Sequence, residues 1–123
     1  MKNLVIFSLS LIATAASTMA KVPNYVSTEG LIGWWAFNGN ANDASQHSNN
    51  GTVIGATLNR DRFGNPDKSY FFNGSDGFIK IPSSESLQPR DALSISLWYN
   101  MGSEVEGSFV GLVHKYLEAG PSW

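Results

Sequence analysis

Residues 31–37 (LIGWWAF) constrain this chain more than any other stretch. In an extended backbone Leu31, Gly33, Trp35 and Phe37 fall on one side, and Ile32, Trp34 and Ala36 on the other. Both faces are apolar, so a strand here needs cover from both directions, as between two packed sheets. Immediately afterwards Asn38, Asn40, Asn42 and Asp43 place oxygen-bearing side chains where the strand leaves the core. A buried anchor running into a polar loop is how a β-sandwich presents a binding rim.

The rest of the chain repeats this alternation of short apolar runs and turn residues. Asn38–Gly39 ends the first strand, and residues 40–50 carry no apolar period, so they read as loop. Residues 51–58 (GTVIGATL) read as a second strand, 69–73 as a third and 78–81 as a fourth. The Asn73–Gly74 pair between the last two predicts a hairpin that joins them. Residues 83–90 are polar and have room for one helical turn, with Ser84 as its cap. The clearest alternation follows: Leu93, Ile95, Leu97, Tyr99 and Met101 point one way, and Ser94, Ser96, Trp98 and Asn100 the other. Residues 108–116 form the last β run. No amphipathic helix is readable anywhere, and the pattern is that of an all-β, antiparallel β-sandwich.

At 123 residues the chain has room for one domain, and 42% apolar with 12% aromatic residues is enough to build a core. The net charge is −2 with both signs scattered, which argues against nucleic acid or an anionic membrane surface as partner. Cysteine is absent, excluding disulfides, thiolate metal sites and a cysteine nucleophile. Residues 1–20 read as a signal peptide. Lys2 is the positive start, Leu4 to Ala16 form an apolar run short for a membrane span, and Thr18 and Ala20 precede a cut at Lys21. Residues 21–29 are then a lead-in, and 30–123 the domain of a secreted, periplasmic or surface protein.

The order of motifs carries a resemblance. An aromatic first strand, an Asn/Asp loop ending in Asn50-Gly51-Thr52, and the Gly55-Ala56-Thr57 run come first. The Asp61-Arg62-Phe63-Gly64-Asn65 turn, the Phe72-Asn73-Gly74 hairpin before Ile79-Lys80-Ile81-Pro82, and the Ser94-Ile95-Ser96-Leu97-Trp98 strand follow. This set resembles the laminin-G-like, concanavalin A-like jelly-roll domains of exported bacterial proteins, over roughly residues 30–116. The resemblance implies a jelly roll that binds ligands at its loop rim, often with calcium. Only Asp76 stands where the family's hairpin often has two acidic residues. The family's later strands, including a second tryptophan-bearing one, have no counterpart here. The expectation is therefore the N-terminal part of such a domain, an incomplete jelly roll.

Each candidate site has two readings. Asp43 and Asp76 offer carboxylates to a Ca²⁺ at one rim, with Asn38 and Asn40 beside Asp43; yet calcium wants six to eight oxygens with several carboxylates. The competing role, capping turns by bonding their own backbone, is favoured. Trp98, flanked by Ser94, Ser96 and Asn100, is a candidate sugar-stacking platform, against the favoured alternative of a tryptophan packed in the interior. Asn38 and Asn40 are further ligand-binding candidates on the rim. Glu104 and Glu106 form a carboxylate pair, but in a turn between Gly102 and Gly107, where solvation explains them better than glycosidase chemistry. His47 and His114 stand without metal-ligand spacing. Asn50-Gly51-Thr52 and Asn73-Gly74-Ser75 match the glycosylation triplet, but both sit where the backbone asks for Asn-Gly. The expected function is an exported, non-enzymatic binding or adhesion module for a glycan or an extracellular protein, with calcium as the one cofactor to consider. The alternatives are the N-terminal part of a secreted carbohydrate-active enzyme with its catalytic residues downstream, or a remnant without independent function.

Overall fold

The computed structural model describes residues 20–102 and 111–115. The chain divides into two units, Met1–Asp91 and Ala92–Trp123. Of the signal peptide read at residues 1–20, residues 1–19 lie outside the described residues, as does the Glu104–Glu106 pair.

The first unit is mostly non-helical and carries two small antiparallel sheets of two strands each, which is compatible with a β-rich fold, and its described residues do not form the expected sandwich. Its strands are β1 (Thr52–Ile54), β2 (Thr57–Asn59), β3 (Ser69–Phe71) and β4 (Phe78–Lys80). β1 pairs antiparallel with β4 through Thr52–Lys80, Val53–Ile79 and Ile54–Phe78. β2 pairs antiparallel with β3 through Thr57–Phe71, Leu58–Tyr70 and Asn59–Ser69. The two small sheets are thus successive segments of one arm. It folds back at residues 60–68, where the Lys68 N–H donates to the Asn59 carbonyl at 3.0 Å.

The pairing of these strands departs from the sequence expectation at Gly55 and at Asn73–Gly74. Residues 51–58 do not form one strand. Gly55 breaks them with φ +63°, and a Cβ there would lie 3.0 Å from the Asp76 carbonyl oxygen. Only glycine lets the two backbones approach so closely in that conformation. The Asn73–Gly74 turn exists, but its flanking strands do not pair with each other. Asn73 Oδ1 accepts the N–H groups of Ser75, Asp76 and Gly77 at 3.0, 3.3 and 3.3 Å. That side chain closes residues 72–77 on themselves as an outward loop opposite Gly55–Ala56, and the true reversal falls at residues 60–68.

The reversal is held by Asp61. Its Oδ1 accepts the Phe63 and Asn65 N–H groups, both at 2.9 Å, and its Oδ2 accepts Asn65 Nδ2–H at 2.9 Å. Arg60 Nη1 donates to the Gly64 carbonyl at 2.7 Å. The bonds to the carboxylate itself, led by the one from the Asn65 side chain, hold the Asp61 carboxyl below its usual range despite the opposing effect of desolvation.

Residues 31–37 make a single bridge rather than a strand, with Trp35 antiparallel to Asp43. Phe37 takes φ +51°, a conformation that ends extended structure in a residue with a Cβ. Its ring meets Tyr70 edge-on at 5.5 Å and 85°, fastening this bend to β3. Trp35 folds its indole back over Gly33, a position where any Cβ would collide with the ring. The aromatic residues of this stretch are half-buried. A 3₁₀ turn, η1 (Glu85–Leu87), follows Ser84.

In the second unit, described at residues 92–102 and 111–115, none of those residues lies in a strand. Leu93–Met101 therefore alternates as a strand should, but without a neighbouring strand among the described residues. A strand is defined by its ladder, and alternation alone does not supply one. Of the last β run, residues 111–115 are outside any strand, and 108–110 and 116 lie outside the described residues. Among the described residues no helix is long and apolar enough to cross a membrane.

Candidate functional site

The most buried residues of the described chain lie in the asparagine-rich loop: Ala41 is 3% exposed, Asn49 6% and Asp43 7%. Asp43 is the centre. Its Oδ1 accepts the N–H groups of Trp34 and Ser45, both at 2.8 Å. Its Oδ2 accepts Ser45 Oγ–H at 2.7 Å and the Asn49 N–H at 2.9 Å. Its own N–H donates to Asn50 Oδ1 at 2.9 Å. Burial by itself pushes the Asp43 carboxyl up; the four donors outweigh it and hold the group below its usual range.

Asn49 extends this hub to the 3₁₀ turn. Its Nδ2 donates to the Ile32 carbonyl at 2.8 Å and to Ser86 Oγ at 3.0 Å. Its Oδ1 accepts Ser84 Oγ–H at 2.6 Å, and its carbonyl accepts Trp35 Nε1–H at 2.8 Å. Ser84 therefore does not cap η1 with its side chain, as the sequence had it; the hydroxyl is turned toward Asn49. The Gly51 N–H closes the loop on the Ala41 carbonyl at 2.8 Å, and Ser48, with φ +55°, makes the corner before Asn49.

The same geometry bears on calcium at Asp43. A carboxylate has about four lone-pair sites, and each oxygen here already accepts two hydrogen bonds. A Ca²⁺ would have to displace backbone donors that have no other partner at hand, so the donor set does not fit one. Asp76 sits in the other loop, exposed, with Oδ1 accepting Asn73 Nδ2–H at 2.7 Å. Each aspartate thus accepts hydrogen bonds within its own turn, four at Asp43 and one at Asp76 Oδ1. Among the described residues no three His, Cys, Asp or Glu side chains come together.

The proposed ligand-binding residues are placed differently from one another. Asn38 Oδ1 is buried and without a hydrogen-bond partner, as is Trp34 Nε1, so that oxygen does not face the rim. Asn40 Oδ1 accepts the Asn42 N–H at 2.9 Å and serves as a local turn cap. Trp98 is 86% exposed, against the favoured reading of an interior tryptophan. His47 lines a small cleft with Val22, Thr28, Leu31 and Ser45. Its volume of about 130 Å³ is well below the ~300 Å³ of an ordinary small-molecule pocket.

The capping role of Asp43 was the favoured reading, but the part of Asn49 was missed, because its side-chain bonds to Ile32, Ser84 and Ser86 join residues far apart in sequence. The available signal was the density of Asn, Asp and Ser flanking an apolar bridge. Comparison of the chain with known protein families, with curated proteins and with solved structures found no match.

Proposed function

We propose that this chain is an exported, non-enzymatic binding or adhesion module of the laminin-G-like jelly-roll type, which takes a glycan or an extracellular protein. The order of motifs over roughly residues 30–116 supports the family, and the antiparallel pairing of the first unit is compatible with it. The observation that carries the binding role is the exposure of Trp98, 86% open to solvent in a segment that also offers Ser94, Ser96 and Asn100. An exposed indole face beside hydroxyl and amide groups suits a sugar ring, which stacks its C–H face on the aromatic and bonds through its hydroxyls. In this reading the Asp43 hub is scaffold, and binding does not require calcium at Asp43.

A glycan array followed by titration of the best hit, in Ca²⁺ and in EDTA, tests the proposal. Trp98→Ala is expected to weaken binding by about tenfold or more while leaving the unfolding midpoint unchanged, since an exposed residue contributes little to stability. Folded protein that binds nothing on the array, or that binds equally well as Trp98→Ala, would overturn the role given to Trp98.

A further inference from the structure

We propose that Asn73–Gly74 is a site of spontaneous self-modification, where the side-chain amide converts through a cyclic imide to aspartate and isoaspartate. The chain holds three Asn–Gly pairs, at 38–39, 50–51 and 73–74. In each, glycine presents the following backbone nitrogen without a Cβ to hinder its attack on the asparagine Cγ. The sequence therefore puts the three on one footing, and the fold separates them.

At two of the pairs the nucleophile is engaged. The Gly39 N–H donates to the Asp67 carbonyl and the Gly51 N–H to the Ala41 carbonyl, both at 2.8 Å. Asn38 Oδ1 is buried, and Asn50 Oδ1 is tied to the Asp43 N–H at 2.9 Å. Reaction there first has to break a main-chain hydrogen bond that holds the loop. At the third pair both residues are exposed, the Gly74 N–H has no partner among the described residues, and the space around Gly74 is open.

The electrophile is prepared as well. Asn73 Oδ1 accepts the N–H groups of Ser75, Asp76 and Gly77 at 3.0, 3.3 and 3.3 Å. These donors draw electron density from Cγ and tighten on the oxygen as it becomes an oxyanion, as preorganised N–H groups do in acyl transfer. The Gly74 nitrogen bonds to Cγ and gives up its proton, the Cγ–Nδ2 bond breaks, and Nδ2 leaves as ammonia with that proton. Water then opens the imide at either carbonyl, giving aspartate or isoaspartate. Both products lose the Nδ2–H donated to Asp76 Oδ1 and set a second carboxylate beside it. This chemistry is independent of the ligand role given to Trp98.

Peptide mapping by mass spectrometry, on the full chain aged in mildly alkaline buffer, follows the exchange of amide for acid at each pair. Asn73 is expected to react at least about fivefold faster than Asn38 or Asn50, the factor that one retained hydrogen bond supplies. In guanidinium chloride the three rates should converge, because the sequence alone does not distinguish them. Gly74→Ala, whose Cβ meets nothing within 4 Å, should slow the reaction at Asn73 and leave the other two pairs unchanged. Folded protein in which Asn38 or Asn50 reacts as fast as Asn73, an order of rates that survives in guanidinium chloride, or an unchanged rate in Gly74→Ala would each overturn the proposal.

Discussion

Replacing Asp43 by asparagine keeps the shape of the side chain and removes only its charge and one acceptor, so the effect can be worked out bond by bond. Oδ1 keeps its two N–H donors, from Trp34 and Ser45. Oδ2 becomes an amide nitrogen that faces Ser45 Oγ and the Asn49 N–H. The Ser45 hydroxyl can turn and accept from it. The buried Asn49 N–H cannot, and an orphaned donor costs about 1–3 kcal/mol. The two surviving bonds lose their ionic partner, at about 1 kcal/mol each. Asp43→Asn should therefore destabilise the first unit by about 3–5 kcal/mol at pH 7. The pH dependence gives a second check. The folded carboxyl lies below the ordinary value of 3.8, so its contribution is complete above that pH and is lost as pH falls through the lower, folded value. The gap between wild type and Asp43→Asn should thus be constant near neutrality and close in acid. Urea unfolding followed by tryptophan fluorescence, at pH 7 and at steps below pH 4, measures both. Asn42→Ala, an exposed change in the same loop, is the neutral comparison. A gap under about 1 kcal/mol at pH 7, or one that persists unchanged in acid, would refute the claim that the Asp43 charge organises the loop.

Two further substitutions test the scaffold. Asn49→Ala removes the side-chain bonds to Ile32, Ser84 and Ser86 but leaves the Trp35 bond to the Asn49 carbonyl; a loss of about 2–4 kcal/mol in urea unfolding is expected. Gly55→Ala combines φ +63° with a Cβ 3.0 Å from the Asp76 carbonyl oxygen. It should cost about 1–3 kcal/mol, measured the same way, whereas Gly74→Ala, with φ +76° but open space around it, should cost less.

The positions of β1, β3 and β4 were readable from local alternation, because period-2 patterns and Gly or Pro breaks act within a few residues. The pairing was not. Asn73–Gly74 carries the strongest short-range hairpin signal, yet the Asn73 amide spends itself on three N–H groups of its own loop. Asp61 performs the corresponding service in a longer turn that has no such signature. At Asp43 the type of chemistry was legible, since an Asx residue after an apolar run is a capping residue. Its partners were not: Trp34 and Asn49 come from either side of the loop, and only the folded chain brings them together. Trp98 shows the opposite limit, since burial depends on what lies against a segment, which that segment's own residues do not encode.

The buried residues also explain why a loop rather than a strand organises the first unit. Trp34, Trp35 and Phe37 stay half-exposed, and Phe71, Phe72 and Phe78 are 46–55% exposed. Apolar burial at that level contributes only part of the ~1.5–3 kcal/mol of a fully buried side chain, and it does so without fixing one arrangement. Asp43 and Asn49 act differently. Each is buried with its polar atoms paired, so an alternative path that keeps them buried without these partners leaves a carboxylate or an amide unpaired out of water. The penalty falls on the competing conformations rather than rewarding the native one, and that sets the path of residues 32–51 more sharply than their hydrophobicity does. The aromatic stretch supplies the bulk; the asparagine-rich loop supplies the uniqueness.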